Sequence, residues 1–195
     1  MAKATGPVYD VPFKRRRKNL TNYAKRLALV KSGKPRMVVR KSLRHVSVQF
    51  VRYEEKGDVT VASANSSELS KFGWSDRSNL PTAYLTGALA AGKAKKKGVT
   101  EFVLDIGLST ASKNALPFGA VKGALDAGLK TKFNPESVDA GRIRGEHIAK
   151  YAESLKGSGA YEKRFSDYLK QGMQPEKLPE KFDEVKAAVL KSQGA

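Results

Sequence analysis

Three places in this chain put residue types where they could do chemistry. Gly87-Ala-Leu-Ala-Ala-Gly92-Lys93 has the spacing of a loop whose amides and lysine cradle a nucleotide's phosphates. Ala94, however, stands where serine or threonine must ligate Mg²⁺, and the stretch falls inside a predicted helix whose amides are already bonded. Asp105-Ile106-Gly107, closing a predicted strand, sets a carboxylate beside a tight turn, as phosphate-facing acids are set. No second Asp-Gly phosphate loop accompanies it. The strand residues around Val38, Val48 and Val61 bring no carboxylates that could share two cations. Asp105 therefore reads as a capping or turn residue. His45 and His147 lack zinc-ligand spacing. Cysteine is absent, which removes thiolate nucleophiles, cysteine metal sites and disulfides. No catalytic residue, metal ligand or cofactor is expected. A Mg²⁺-dependent hydrolase or phosphotransferase acting on nucleic acid, built on Asp105 and Gly92-Lys93, is the rival reading.

Charge points elsewhere. Residues 1–52 contain 15 Lys/Arg and one acid, Asp10, for a net of +14, whereas the remaining 143 residues carry +4. The run Lys14, Arg15, Arg16, Arg17, Lys18 leads into Arg26, Lys34, Arg36, Arg40, Lys41 and Arg44. Cations gathered in this way suit a polyanion, nucleic acid first, because neutralised phosphates release condensed counterions. Arg142, Arg144 and His147 surround Gly145 at a predicted helix start. They read either as a second phosphate- or partner-binding point or as a solvated helix start with an Arg144–Glu146 pair. Lys93, Lys95, Lys96 and Lys97 crowd a predicted helix C-terminus, where the helix dipole favours cations as much as RNA would. No apolar run approaches the ~20 residues needed to span a bilayer, so a membrane partner is not expected and a cytoplasmic location is the default.

The elements that must position these residues follow from periodicity. Residues 1–13, with Gly6, Pro7 and Pro12, read as an irregular arm that orders on binding RNA. Leu20, Tyr23, Leu27 and Val30 outline a helical face over 19–31, stopped by Ser32-Gly33 and Pro35. Met37–Val39, Val46–Tyr53 and Val59–Ala64 predict three antiparallel strands in a meander, with Arg40, Lys41 and Arg44 on its rim. Asn65 and Glu68 form a capping box for a short helix, and Trp74 reads as a plug over the sheet. A helix from Asn79-Leu-Pro81 to Lys97-Gly98, a buried strand Phe102–Ile106 and a helix after Pro117 complete an α/β order. The crossover helix makes the fourth strand parallel to a neighbour. Beyond Gly141, helices ending near Leu155, around Tyr161–Leu169 and around Phe182–Leu190 read as an extension that packs on something else, with Pro175 and Pro179 bracketing a turn. The expected organisation is an arm (1–18), an α/β RNA-binding domain (19–140) and a helical extension (141–195).

Six blocks in order carry a family pattern: Tyr23-Ala-Lys-Arg-Leu27, Ser32-Gly-Lys-Pro-Arg-Met-Val-Val-Arg-Lys41, Asn79-Leu-Pro-Thr-Ala-Tyr-Leu-Thr-Gly87, Val103-Leu-Asp-Ile-Gly107, Lys122-Gly-Ala-Leu-Asp-Ala-Gly128 and Arg142-Ile-Arg-Gly-Glu-His-Ile148. Together they resemble the archaeal-type 5S rRNA-binding proteins of the large ribosomal subunit, the universal large-subunit protein eighteen family. The resemblance covers nearly the whole chain and rests least on the tail after Tyr151. It implies a three-layer, ribonuclease-H-like α/β fold of the translational machinery, without nuclease activity. It also implies 5S rRNA and 23S rRNA as partners in the central protuberance, next to the other 5S-binding ribosomal protein. No small-molecule substrate is expected. The interface residues expected are Lys14, Arg15, Arg16, Arg17, Lys18, Tyr23, Arg26, Lys34, Arg36, Arg40, Lys41, Arg44, Arg142, Arg144 and His147.

Overall fold

A computed structural model describes residues 6, 7 and 9–194. Period-two alternation of apolar residues builds the sheet. Strands β1 (Arg36–Lys41), β2 (Val46–Arg52) and β3 (Val59–Asn65) form the expected antiparallel meander. Strand β4 (Val103–Asp105) lies parallel to β1, so the order is β3-β2-β1-β4. Met37, Val39, Val46, Val48, Phe50, Ala62 and Ala64 are buried on one face, while Val38, Gln49 and Thr60 fall on the other.

The buried face is covered by α3 (Leu80–Lys96) and α4 (Leu116–Asp126). Asn79 starts α3 by accepting a hydrogen bond from the Thr82 amide at 2.9 Å, with Pro81 in the first turn. Phe102 meets Phe50 edge to face, 5.6 Å between ring centres. Glycines let the two helices touch backbone to backbone: a Cβ at Gly87 would lie 2.2 Å from the Ala120 carbonyl oxygen, and one at Gly123 2.1 Å from that of Tyr84. Gly87, the first glycine of the apparent phosphate-loop pattern, thus serves helix packing. The capping box at Asn65 and Glu68 is present, but the segment it opens, Ser66–Phe72, is a 3₁₀ helix closed by Gly73 at φ 71°.

The N-terminal region departs from expectation. The basic run forms its own helical turn, α1 (Lys14–Arg17), and Asn19 breaks the chain at φ 51° before α2 (Tyr23–Val30), which Asn22 caps. The apolar stripe read over 19–31 is not a core face: Leu27 is 56% exposed and Leu20 is exposed too. What holds α2 against the sheet is an arginine, described below. The part of the arm reading that falls on residues 1–5 and 8 lies outside the described residues.

The C-terminal helices are α5 (Ala140–Arg144), α6 (Glu146–Leu155), α7 (Gly159–Lys170) and α8 (Leu178–Gly194). The expectation that they pack on something else does not hold: Ile143, Ala152, Phe165 and Tyr168 join the main core, and α8 seats Leu178, Phe182, Val185 and Val189 in it. Phe182 contacts both Trp74 and Tyr84, with ring centres 6.1 and 5.3 Å apart. Trp74 is buried as foreseen and donates Nε1–H to Thr82 Oγ1 at 2.8 Å. Pro175 and Pro179 bracket a turn as expected, a 3₁₀ turn over Pro175–Lys177, and Pro179 itself falls in the first turn of α8, where a missing amide costs nothing.

Candidate nucleic-acid interface

Lys14 to Lys18 are all exposed, as are Lys25, Lys31, Lys34, Lys41 and Arg44. Below them, α2 stands over the outer face of the sheet and leaves a cleft of about 910 Å³. Arg15, Lys25, Arg26, Arg36 and Arg40 line it, and Asp58 and Asp105 are the acids in its wall. The structure therefore gathers cations from α1, α2 and β1 around one concavity.

A continuous chain of ion pairs sets its geometry. Arg26 of α2 reaches Asp58 at 2.8 Å, Asp58 reaches Arg36 at 2.6 Å, Arg36 reaches Asp105 at 3.1 Å, and Asp105 reaches Arg40 at 2.9 Å. Arg36 is the correction to the expected interface: only 4% exposed, it lies between two carboxylates and presents nothing to a phosphate. Its position beside β4, in register with Val103, was not visible from charge alone. Arg40 is half-exposed, and its guanidinium is fixed by the Val39 carbonyl, the Asp105 carbonyl and the Asp105 carboxylate at 2.8–2.9 Å. Asp105 also accepts the Gly107 amide at 2.9 Å, which is the turn role expected of it. Burial pushes the Asp105 carboxyl up, but the Arg40 hydrogen bond and charge, the Gly107 amide and Arg36 outweigh it and hold the group below the usual carboxylate range. The acid on which an enzyme reading would rest is thus engaged with two arginines. Sequence reasoning missed Asp58 as its counterpart, because an acid inside the hairpin connection Glu54–Asp58 looks like any solvated turn residue.

The hairpin tip between β1 and β2 is closed by reciprocal hydrogen bonds. Ser42 donates its amide to the His45 carbonyl at 2.8 Å, and the His45 amide returns a bond to Ser42 Oγ at 2.9 Å. His45 Nδ1 lies 3.2 Å from Asp76. Arg44 approaches Asp167 of α7, which Arg77 also grips, so Arg77 and Lys170 join the cationic rim beside Arg44. Neither was foreseen, since only the packing of α7 brings them there. Tyr23 packs against Phe13, ring centres 6.1 Å apart, and Lys34 pairs with Glu101.

The second expected cluster sits on other elements. Gly145, at φ 87°, joins α5 to α6 and backs onto Leu178 and Pro81, so its missing Cβ serves internal packing and not the approach of another chain. Arg144 pairs with Asp183 of α8 and more distantly with Glu146, close to the plain reading of that site. Arg142 is exposed. Burial and the Arg142 charge lower the His147 pKa, leaving the ring neutral, and its Nδ1 is buried without a hydrogen-bond partner among the described residues. Near the end of α3, Lys93 bonds the Ser63 carbonyl and Glu68, Lys97 bonds the Val61 carbonyl, and Lys96 reaches the Ser192 carbonyl. Those lysines tie helix to sheet and to α8.

Residues 8–101 match the profile of a family described as ribosomal large subunit proteins 60S L5, and 50S L18. The large ribosomal subunit protein uL18 of Thermofilum pendens is 52% identical over 190 residues, covering 95% of this chain and 97% of that protein. Its namesake in Korarchaeum cryptofilum is 51% identical over 179 residues, 91% and 92% of the two chains. That of Saccharolobus islandicus is 50% identical over 195 residues, 98% and 100%. With half its residues identical across nearly the full length of such relatives, this chain belongs to the uL18 family of large-subunit ribosomal proteins.

Proposed function

We propose that the chain is a structural constituent of the large subunit of the cytoplasmic ribosome, binding 5S rRNA and attaching it to 23S rRNA in the central protuberance beside the other 5S-binding protein. The observation that carries this reading is the gathering of cations from α1, α2 and β1 around one cleft, in a chain half identical to uL18 proteins. Phosphate contacts by Lys14–Lys18 and the rim residues Arg40, Lys41 and Arg44 supply affinity and register. Selectivity comes from folded RNA shape, because the A-form major groove is too deep and narrow to read. The arrangement of acids supports a non-catalytic role, since Asp105 and Asp58 are both committed to arginines. The order β3-β2-β1-β4 with β4 parallel to β1 supports a three-layer ribonuclease-H-like fold, α2 being the thin outer layer. Within it, residues 1–18 act as the RNA arm, 19–140 as the RNA-binding body, and 141–195 as the extension.

The test is binding of the full chain to 5S rRNA and to tRNA across a salt series, repeated with residues 1–18 removed. Preference for 5S rRNA with a steep salt dependence, made shallower by the truncation, is the expected result. Equal affinity for both RNAs would reduce the protein to an unselective polycation.

A further inference from the structure

We propose that the cleft between α2 and the outer sheet face receives a single everted nucleotide of the bound RNA, an adenine, whose edge is read by Gln49. The proposal rests on the RNA-binding reading above and adds to it a base-specific contact.

The cleft has the anatomy of a base pocket and not merely of a phosphate groove. At about 910 Å³ it lies near the top of the usual range for ligand clefts and has room for a base with its ribose and flanking phosphates. Leu29, Val38 and Leu104 give it apolar walls, a surface that suits the face of a base and serves no purpose for a phosphate. Arg15 and Lys25, which line it without an ion pair among the described residues, are the cations free to meet the phosphates flanking an everted nucleotide. Arg40 adds a flat, half-exposed guanidinium already locked by three hydrogen bonds, so stacking a base on it costs little further ordering.

Gln49 supplies the reading group. It projects from β2 on the outward side of the pleat, lines the cleft, and is only partly exposed. Among the described residues its side-chain amide has no hydrogen-bond partner, although Arg26, Arg36, Arg40, Asp58 and Asp105 beside it are all paired. A carboxamide presents a donor and an acceptor side by side, which match N7 and N6–H₂ of adenine in a bidentate pair. Only an unpaired base turned out of its stack can reach that depth, so the contact selects a loop or bulge, where eversion costs least.

The experiment uses full-length protein and intact 5S rRNA, comparing wild type with Gln49→Ala and Gln49→Glu. Three quantities are read: affinity at fixed salt, the salt slope, and reactivity of adenine N7 toward diethyl pyrocarbonate in the complex. The expected result is one unpaired adenine whose N7 is protected by wild type and reactive with Gln49→Ala. Affinity for 5S rRNA should fall about tenfold while the salt slope stays the same. Gln49→Glu should fall further, because it places an acid among the phosphates. Thermal melting of both variants should match wild type, since the side chain has no partner to lose. Affinity within twofold of wild type, or no adenine whose protection depends on Gln49, overturns the proposal while leaving RNA binding intact. Failure of wild type itself to prefer 5S rRNA over tRNA overturns the functional reading instead.

Discussion

The Arg36 guanidinium lies 3.1 Å from a carboxylate oxygen of Asp105, with both side chains buried where β1 runs beside β4. Removing Asp105 strips the buried Arg36 of one of its two carboxylates and leaves it with Asp58 alone. Asp105→Ala should therefore cost about 3 kcal/mol of stability, read from urea unfolding. The loss also frees Arg40, so affinity for RNA should change along with stability. An unchanged urea midpoint in Asp105→Ala would mean that the pair's attraction only offsets its desolvation.

The same carboxyl predicts an acid limb. Its folded pKa lies below the ordinary range because two arginines and the Gly107 amide outweigh burial. The stabilisation is complete above the unfolded value, about 4, and is lost as pH falls through the folded value. Melting temperature followed from pH 6 downward should drop below about pH 4, and Asp105→Asn should flatten that drop.

Exchanging Lys14–Lys18 for glutamine should weaken 5S rRNA binding and make the salt slope shallower by up to about 4.5, if each of the five cations neutralises one phosphate at ~0.9 per contact. The five residues are exposed and anchor nothing in the core, so the melting temperature should not move. A slope unchanged by the exchange would place the phosphate contacts elsewhere on the molecule.

Gly123→Ala should be far more damaging than its size suggests. The added carbon would sit 2.1 Å from the Tyr84 carbonyl oxygen, against backbone that cannot yield, for a cost of about 3 kcal/mol. Gly159→Ala, with nothing within 4 Å, should stay within about 0.5 kcal/mol. Chemical denaturation of the pair separates steric contact from a general effect of losing glycine.

Phe182→Ala should cost about 3–5 kcal/mol, and unfolding should remain a single cooperative transition. Two separate transitions, one of them unaffected, would show α8 to be independent of the body despite its seat against Trp74 and Tyr84.

Much of this arrangement was legible in residue order. Alternation in Val46, Val48 and Phe50 defined a strand, Asn79 with Pro81 defined the start of α3, and the crossover rule made β4 parallel. What was not legible depended on contacts between distant segments. Arg36 looked like one more cation of a basic rim until Asp58 and Asp105, 22 and 69 residues away, were placed on either side of it. The stripe Leu20–Leu27 has helical period but stays exposed, because α2 stands off the sheet across an open cleft. Gln49 carries no charge and falls in a strand, so only the open cleft in front of it distinguishes it from an ordinary outward-facing residue.

Helix α3 is enclosed by the sheet, by α4 and by α8, and 14 of its 17 residues are buried. During synthesis it is made well before α8, so for the intervening stretch its flank toward Phe182 remains uncovered. The cationic segment, by contrast, is available for RNA from the outset. A nascent chain thus displays its cationic segment while the flank of its central helix is still open.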